Sequence, residues 1–406
     1  MPMDVAAPHI AATAPDLAPL AAEMRAWRHD IHRHPELGMA EQRTAGKVAG
    51  LLASWGIEVD AGFGGTTAVI GTLLGTRRGD GAGRSIGLRA DMDALPMPEQ
   101  ADVAYRSVHA GVAHACGHDG HTAMLLGAAK YLADHRDFNG TVQFIFQPAE
   151  EPLTGAAALL DHGLLERHPC DEVYALHNNN AVPAGTIGVR AGAILAANDL
   201  FRIHITGVGG HAAQPQRTVD PILVGTALVQ ALQSVVSRNI DPLDTAVLSI
   251  CQFHAGSAIN VIADHAVLEG TLRTMSHQAQ ETALQRLRTL CAGVAASYDC
   301  QVRCEHLLST PPTINHPAQT ELVRRAAAVV VGAQNVVETP PLMASEDFSL
   351  LLEQRPGAYF FLGHDGLNCH HPAFVFDDDT LATGAAVLVE IVRQRALANG
   401  SRKHLT

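Results

Sequence analysis

Eight residues, His114-Ala115-Cys116-Gly117-His118-Asp119-Gly120-His121, gather a thiol, three imidazoles and a carboxylate, with two glycines that let the backbone bend. A Cys and a His two positions apart in an extended segment share a face, so Cys116 and His118 can turn toward one cation. An isolated C-x-H pair is more often a reduced structural thiol beside a surface histidine. Other residues shift the balance toward a metal site. Glu150 and Glu151 follow an apolar run over 141–146, His177 ends another, and Cys369-His370-His371-Pro372 lies beyond a late one. Adjacent carboxylates in an extended segment point opposite ways, so they need different jobs unless the backbone turns between them. One can ligate a cation while the other holds a water as general base. Alone, that pair reads equally well as a solvated acidic loop; beside a Cys/His cluster it does not. His29, His32 and His34 fit an ordinary helix face, and His204, His254 and His265 fit strand or loop positions without function.

These groups must be placed by the elements that carry them. From 17 to 178 helix and strand patterns alternate: helices over 17–34 (Asp16 as cap) and 41–55, strands over 68–73 and 85–90, then the Cys/His loop with a helix from Thr122 to about Asp134. A strand over 141–146, a helix over 154–162 and a strand over 172–176 follow. Such alternation implies an α/β layer with a largely parallel sheet, whose chemistry lies at the carboxyl ends of its strands. Between 199 and 307 the order becomes β-α-β-β-α-β, the ferredoxin-like unit, closing as a separate small sheet. The α/β rhythm then resumes, ending in a helix from Thr380. The expected fold is a mixed, largely parallel sheet sandwiched by helices, with an inserted ferredoxin-like α+β lid. The expected divisions are a disordered tail over 1–16, a catalytic α/β domain over 17–190 and 309–406, and a lid and dimerisation domain over 191–308.

Composition narrows the partners. The 406 residues carry a net charge of -13 without any Lys/Arg run, which argues against nucleic acid. Residues 1–24 hold no Lys or Arg, so the basic start of a secretory signal is missing. The apolar run over 221–237 contains Gln230, Gln233 and Ser234 and is short for a membrane span. The 7 cysteines form no paired framework, which fits reduced thiols in the cytoplasm.

Six ordered stretches, 30–38 (DIHRHPELG), 89–96 (RADMDALP), 114–121, 147–151 (QPAEE), 209–213 (GGHAA) and 343–348 (MASEDF), make the chain similar to a known family. It resembles the aminoacylase and hippurate hydrolase branch of the co-catalytic metallopeptidases, which hydrolyse N-acyl amino acids. The resemblance implies two divalent ions per subunit (Mn, Zn, Co or Ni) on Cys116, His118, Glu151, His177 and His370. It implies Glu150 as general base, with His114 and His121 as neighbours of the site and Asp91 supporting it from behind. It selects His370 over His371. In the lid it implies His211 on the scissile carbonyl oxygen, often from a partner subunit, and Asn260 and Arg273 at the substrate carboxylate. Gln216, Ala263 and Asn180 depart from the family's usual residues, at positions that bear on specificity and loop shape. The expected activity is hydrolysis of an N-acyl amino acid by a homodimer. The alternatives are a dipeptidase or carboxypeptidase, an N-acetyl-diaminopimelate deacetylase, or a metal-binding scaffold without turnover, against which an intact Glu150 argues.

Overall fold

The computed structural model describes residues 13–77 and 83–398. Of the tail expected over 1–16, residues 1–12 lie outside the described residues; Pro15 is buried and the Thr13 carbonyl accepts from Arg393. The chain divides into two compact units. The larger comprises the described residues within Met1–Ala191, Asn315–Thr339 and Leu351–Thr406, and the smaller comprises Gly192–Ile314 and Pro340–Leu350.

An eight-stranded mixed sheet organises the larger unit. Four of its strands, Gly140–Gln147, Arg84–Asp91, Glu172–Asn179 and Gly357–Gly363, lie side by side in that order and run parallel. They are buried on both faces, which is why they read as nearly continuous apolar runs, as in Val142, Phe144, Ile145 and Phe146. Antiparallel strands flank this block, so the sheet is mixed. Helices Ala21–Arg33, Gln42–Ser54, His118–Asp134, Pro317–Val331 and Leu381–Ala398 cover it, and their apolar faces join the strands in one core. Three short strands, Glu58–Ala61, Ile187–Val189 and Val336–Glu338, were not expected from the sequence; runs this brief carry no readable period.

The smaller unit is built on a four-stranded antiparallel sheet covered by Pro221–Asn239 and His277–Tyr298. Its central strands, Asn198–Thr206 and His265–Thr274, alternate buried with half-exposed positions, so one face meets the helices. Phe201, Ile203, Ile205, Ala266, Leu268 and Leu272 form that face. The helices start on side-chain caps: Asp220 accepts from the Ile222 amide, with Pro221 in the first turn, and Ser276 accepts from Ala279.

Candidate metal centre

The four parallel strands end together, and the groups singled out above leave those ends. The geometry of the Cys/His loop differs from the extended one expected. Gly117 adopts φ 103°, and the helix begins at His118, four residues before Thr122. A Cβ at position 117 would lie 2.0 Å from the Asn178 side-chain oxygen, so both the turn and the contact demand glycine. Cys116 and His118 are thus brought to one side by a left-handed turn into a helix, not by alternation along a strand. The same start places His121 one turn beyond His118, facing the sheet.

The rings of His118 and His177 are each anchored to a backbone carbonyl through Nδ1. His118 Nδ1 donates to the Asp93 carbonyl at 2.9 Å, and its buried Nε2 has no hydrogen-bond partner. His177 Nδ1 donates to the Asn178 carbonyl at 2.7 Å, turning Nε2 toward Cys116 Sγ at 3.4 Å. His121 is closed at both ends, on Asp91 at 2.6 Å and on the Asn178 side chain at 2.8 Å. Asp91 is also paired with Arg89 at 2.6 Å, so it backs His121 from beneath the cluster. His114 is buried with both nitrogens unpartnered, and burial pushes it down to about 4, so it is neutral.

The loop after Gly140–Gln147 brings both glutamates to the same side. Ala149 and Leu153 take positive φ, 53° and 56°, and the chain turns sharply. Three successive amides are fixed by buried carboxylates: Ala149 N donates to Glu41 at 2.9 Å, Glu150 N to Asp93 Oδ1 at 3.0 Å and Glu151 N to Asp93 Oδ2 at 2.9 Å. The turn sets Glu150 Oε2 3.8 Å and Glu151 Oε1 3.9 Å from His118 Nε2, near but beyond hydrogen-bonding distance. Glu151 Oε1 is buried and has no hydrogen-bond partner. Its other oxygen lies 3.4 Å from His370 Nε2. His370 holds φ 66°, a strained value for a non-glycine residue, and its amide is anchored on the Ala115 carbonyl at 2.7 Å. His371 turns away and accepts from the Ala373 amide.

Three overlapping triads have ligand atoms within 4.8 Å of one another: Cys116, His118 and His177; Cys116, Glu151 and His370; and His118, Glu150 and Glu151. The thiol is common to the first two. A further triad, Asp91, His118 and His121, is already spent on hydrogen bonds. The electrostatics also ask for a cation. Burial alone pushes His118 down, yet the carboxylates of Asp91, Asp93 and Glu151 outweigh it and hold the ring well above the usual histidine range. A hydrogen bond with the Cys369 thiol, then burial, then Glu151 and Glu150, hold the Cys116 thiol well above its ordinary range. Burial, then His121, keeps His177 neutral, the form that ligates. Two orphaned buried atoms facing each other, among soft and hard donors, fit divalent ions.

The helix-face reading of His32 does not hold. Its ring is buried between Asp119 at 2.8 Å and Glu99 at 3.0 Å, and Asp119 also pairs with Arg28 at 2.9 Å. His29 is half-buried, hydrogen-bonded to Asp378 and stacked on Tyr105. Asp93 and Glu41, which fix the glutamate turn, went unassigned in the sequence. Asp93 was marked by the stretch over 89–96, whereas Glu41 carried no signal.

The remaining expected residues lie in the smaller unit. His211 is exposed on the two-residue strand Gly210–His211, which pairs with Val261–Ile262, and its Nδ1 accepts from Ala213 at 3.0 Å. The Asn260 carbonyl accepts from the Ala212 amide at 3.1 Å, so this ladder brings His211 and Asn260 together. Arg273 is half-buried and donates to Ser345 Oγ at 2.8 Å.

A sequence profile of peptidase family M20/M25/M40 matches residues 87–394. Over 382 residues the chain is 38% identical to hippurate hydrolase of Campylobacter jejuni, covering 93% of this chain and 97% of that protein. It is 38% identical to thermostable carboxypeptidase 2 of Saccharolobus solfataricus, covering 88% and 91%. Among solved structures, the YXEP protein of Bacillus subtilis, described as a dinuclear metal binding peptidase from the M20 family, matches with a TM-score of 0.80 at 32% identity, covering 94% and 99%. The chain belongs to peptidase family M20/M25/M40. It is a metal-dependent hydrolase.

Proposed function

We propose that this enzyme hydrolyses the amide bond of N-acyl amino acids, releasing a carboxylic acid and a free amino acid, with Glu150 as general base. The reading rests above all on two carboxylates set on one strained turn before an orphaned His118 nitrogen. Cys116, His118 and His177 would hold one divalent ion, and Cys116, Glu151 and His370 a second. When bound, such ions would supply Lewis-acid chemistry that makes the attacking water acidic enough to lose a proton near neutral pH. Glu150 accepts that proton and later returns it to the departing nitrogen. Asp93 keeps the two glutamates in separate roles by fixing the peptide on either side of Glu150. His211 is assigned to the carbonyl oxygen of the scissile amide. Asn260 and Arg273 are assigned to the substrate carboxylate, for which a guanidinium offers paired donors.

A homodimer belongs to the same reading. Most of the exposed large apolar side chains are in the smaller unit, among them Ile222, Leu223, Val247 and Phe253. Strand Ala246–Ala255 is an edge of the four-stranded sheet, where a second copy can add its own edge. All 7 cysteines are free, which supports a reducing compartment such as the cytoplasm. Among the described residues no helix is long and apolar enough to cross a membrane.

The identity shared with a carboxypeptidase keeps peptide hydrolysis as a second reading. Chelated enzyme reloaded with Mn²⁺, Zn²⁺, Co²⁺ or Ni²⁺ should hydrolyse N-acetyl, N-benzoyl or N-lauroyl amino acids faster than dipeptides of the same C-terminal residue. Faster dipeptide hydrolysis would replace the first reading with the second.

A further inference from the structure

One thiol beside this centre has no place in the reaction just described. Cys369 precedes His370, and its Sγ lies 3.4 Å from the Cys116 carbonyl and 3.4 Å from the Asn178 side-chain nitrogen. Its Sγ lies against the backbone of Cys116, yet it joins none of the ligand triads among the described residues. The two loops are also tied by the backbone, since His370 N donates to Ala115 O at 2.7 Å. Two cysteines are therefore held on adjoining loops, one in a candidate ligand position and one outside it. Cys369 is the more accessible, being partly exposed where Cys116 is 8% exposed.

We propose that Cys116 and Cys369 form a metal-gated redox pair: without metal a hydroperoxide closes them into a disulfide, and bound metal prevents it. The gating rests on the reading of Cys116 as a ligand; the pairing of the thiols does not. The Cys369 thiolate attacks the terminal peroxide oxygen and the O–O bond breaks. The leaving alkoxide or hydroxide is protonated to alcohol or water, and the sulfur, oxidised by two electrons, becomes a sulfenic acid. The Cys116 thiolate then attacks that sulfur. The S–S bond forms, the S–OH bond breaks, and hydroxide takes up the proton that Cys116 released, leaving as water. Two thiols are oxidised and one peroxide is reduced. The disulfide removes the sulfur that the two ions would share, so the oxidised chain is held metal-free until a dithiol reduces it. A thiolate engaged by metal has its electron pair committed and attacks slowly.

An internal control exists in the smaller unit, where Cys291 and Cys304 pack in one apolar core and neither belongs to a ligand triad. The test compares chelator-stripped protein with protein loaded with Zn²⁺, its metal content measured by elemental analysis. Both are treated with equimolar hydrogen peroxide, alkylated and peptide-mapped. The stripped protein should yield a Cys116–Cys369 cross-link with loss of two hydrogens, roughly tenfold or more faster than the loaded protein. Oxidation of Cys291 and Cys304 should not depend on metal. The oxidised stripped protein should fail to take up Zn²⁺ in calorimetry until treated with dithiothreitol. Cys369→Ser should bind Zn²⁺ as the wild type does, give no cross-link and form no sulfenic acid at Cys116, whereas Cys116→Ser should leave Cys369 trappable as a sulfenic acid. Absence of the cross-link in stripped wild-type protein overturns the proposal and leaves the metal reading intact. Equal cross-linking in fully loaded protein overturns the gating and removes Cys116 from the ligand set.

Discussion

The carboxylate of Asp93 accepts from two consecutive amides, while its carbonyl fixes the ring of His118. One residue thereby orients Glu150, proposed as general base, and Glu151 and His118, proposed as ligands. Asp93→Ala leaves the Glu150 and Glu151 amides without their acceptor. Metal affinity should fall by roughly 10–100-fold, the usual effect of losing a residue that orients ligands. Calorimetric titration of the chelated variant measures it, and unchanged affinity would mean that the turn holds without Asp93. Glu150→Gln is expected to separate the two glutamates. It keeps the volume and the backbone amide while removing the base, so metal content should stay at the wild-type level. Turnover should drop by roughly 10²–10⁴-fold. A parallel loss of metal and rate would instead make Glu150 a ligand.

Two helices meet behind the site through a buried ionic cluster. Asp119, next to His118 on helix His118–Asp134, pairs with Arg28 and His32 of helix Ala21–Arg33. The pairing keeps the first turn of the helix that carries His118 from shifting, and truncating one partner of such a pair costs about 3–5 kcal/mol. Burial pushes His32 down, but hydrogen bonds to Asp119 and Glu99 win and raise it to about 9. Its ordinary value is 6.5, so the folded state holds the proton more tightly than the unfolded chain. That stability is fully present below pH 6.5 and is lost as pH rises through about 9. Urea unfolding of wild type and His32→Gln across this range checks the sign: the wild-type advantage should be flat in acid and shrink toward pH 9. An advantage that grows with pH would mean His32 is buried neutral. The sequence hid this cluster because a polar helix face normally meets water, and nothing local marks one that meets Asp119 instead. The longer elements were legible, since their periods of 2 and 3.6 persist over several turns or pleats. The helix start at His118 was not, because its first turn is polar and follows a glycine that could equally belong to a loop. The convergence of Cys116, His118, Glu150, Glu151 and His177 could be read because Cys, His and paired Glu are unusual in such density. Glu41 could not, since it reaches the Ala149 amide only after folding joins positions 108 residues apart in the chain.

For the whole molecule, the role proposed for His211 involves a second copy of the chain. His211 is exposed on a two-residue strand, and nothing in its own unit uses its ring beyond the Ala213 amide. Helix Pro221–Asn239 shows Ile222 and Leu223 to solvent, and the edge strand Ala246–Ala255 adds Val247 and Phe253. Pairing that edge with its copy about a two-fold axis would cover these side chains and continue the sheet. In such a dimer each chain can present His211 to its partner's metal centre. The expectation is that Glu150→Gln and His211→Ala, each inactive alone, complement one another. Denatured together and refolded at equal concentration, half of the dimers should be mixed. Each mixed dimer would hold one site with both residues intact and one with neither, giving about a quarter of wild-type activity at random pairing. Tagging the two chains differently and purifying through both tags should raise this to about half. Doubly tagged dimers with no activity would place His211 and Glu150 of the same chain in each site, or leave His211 outside the reaction.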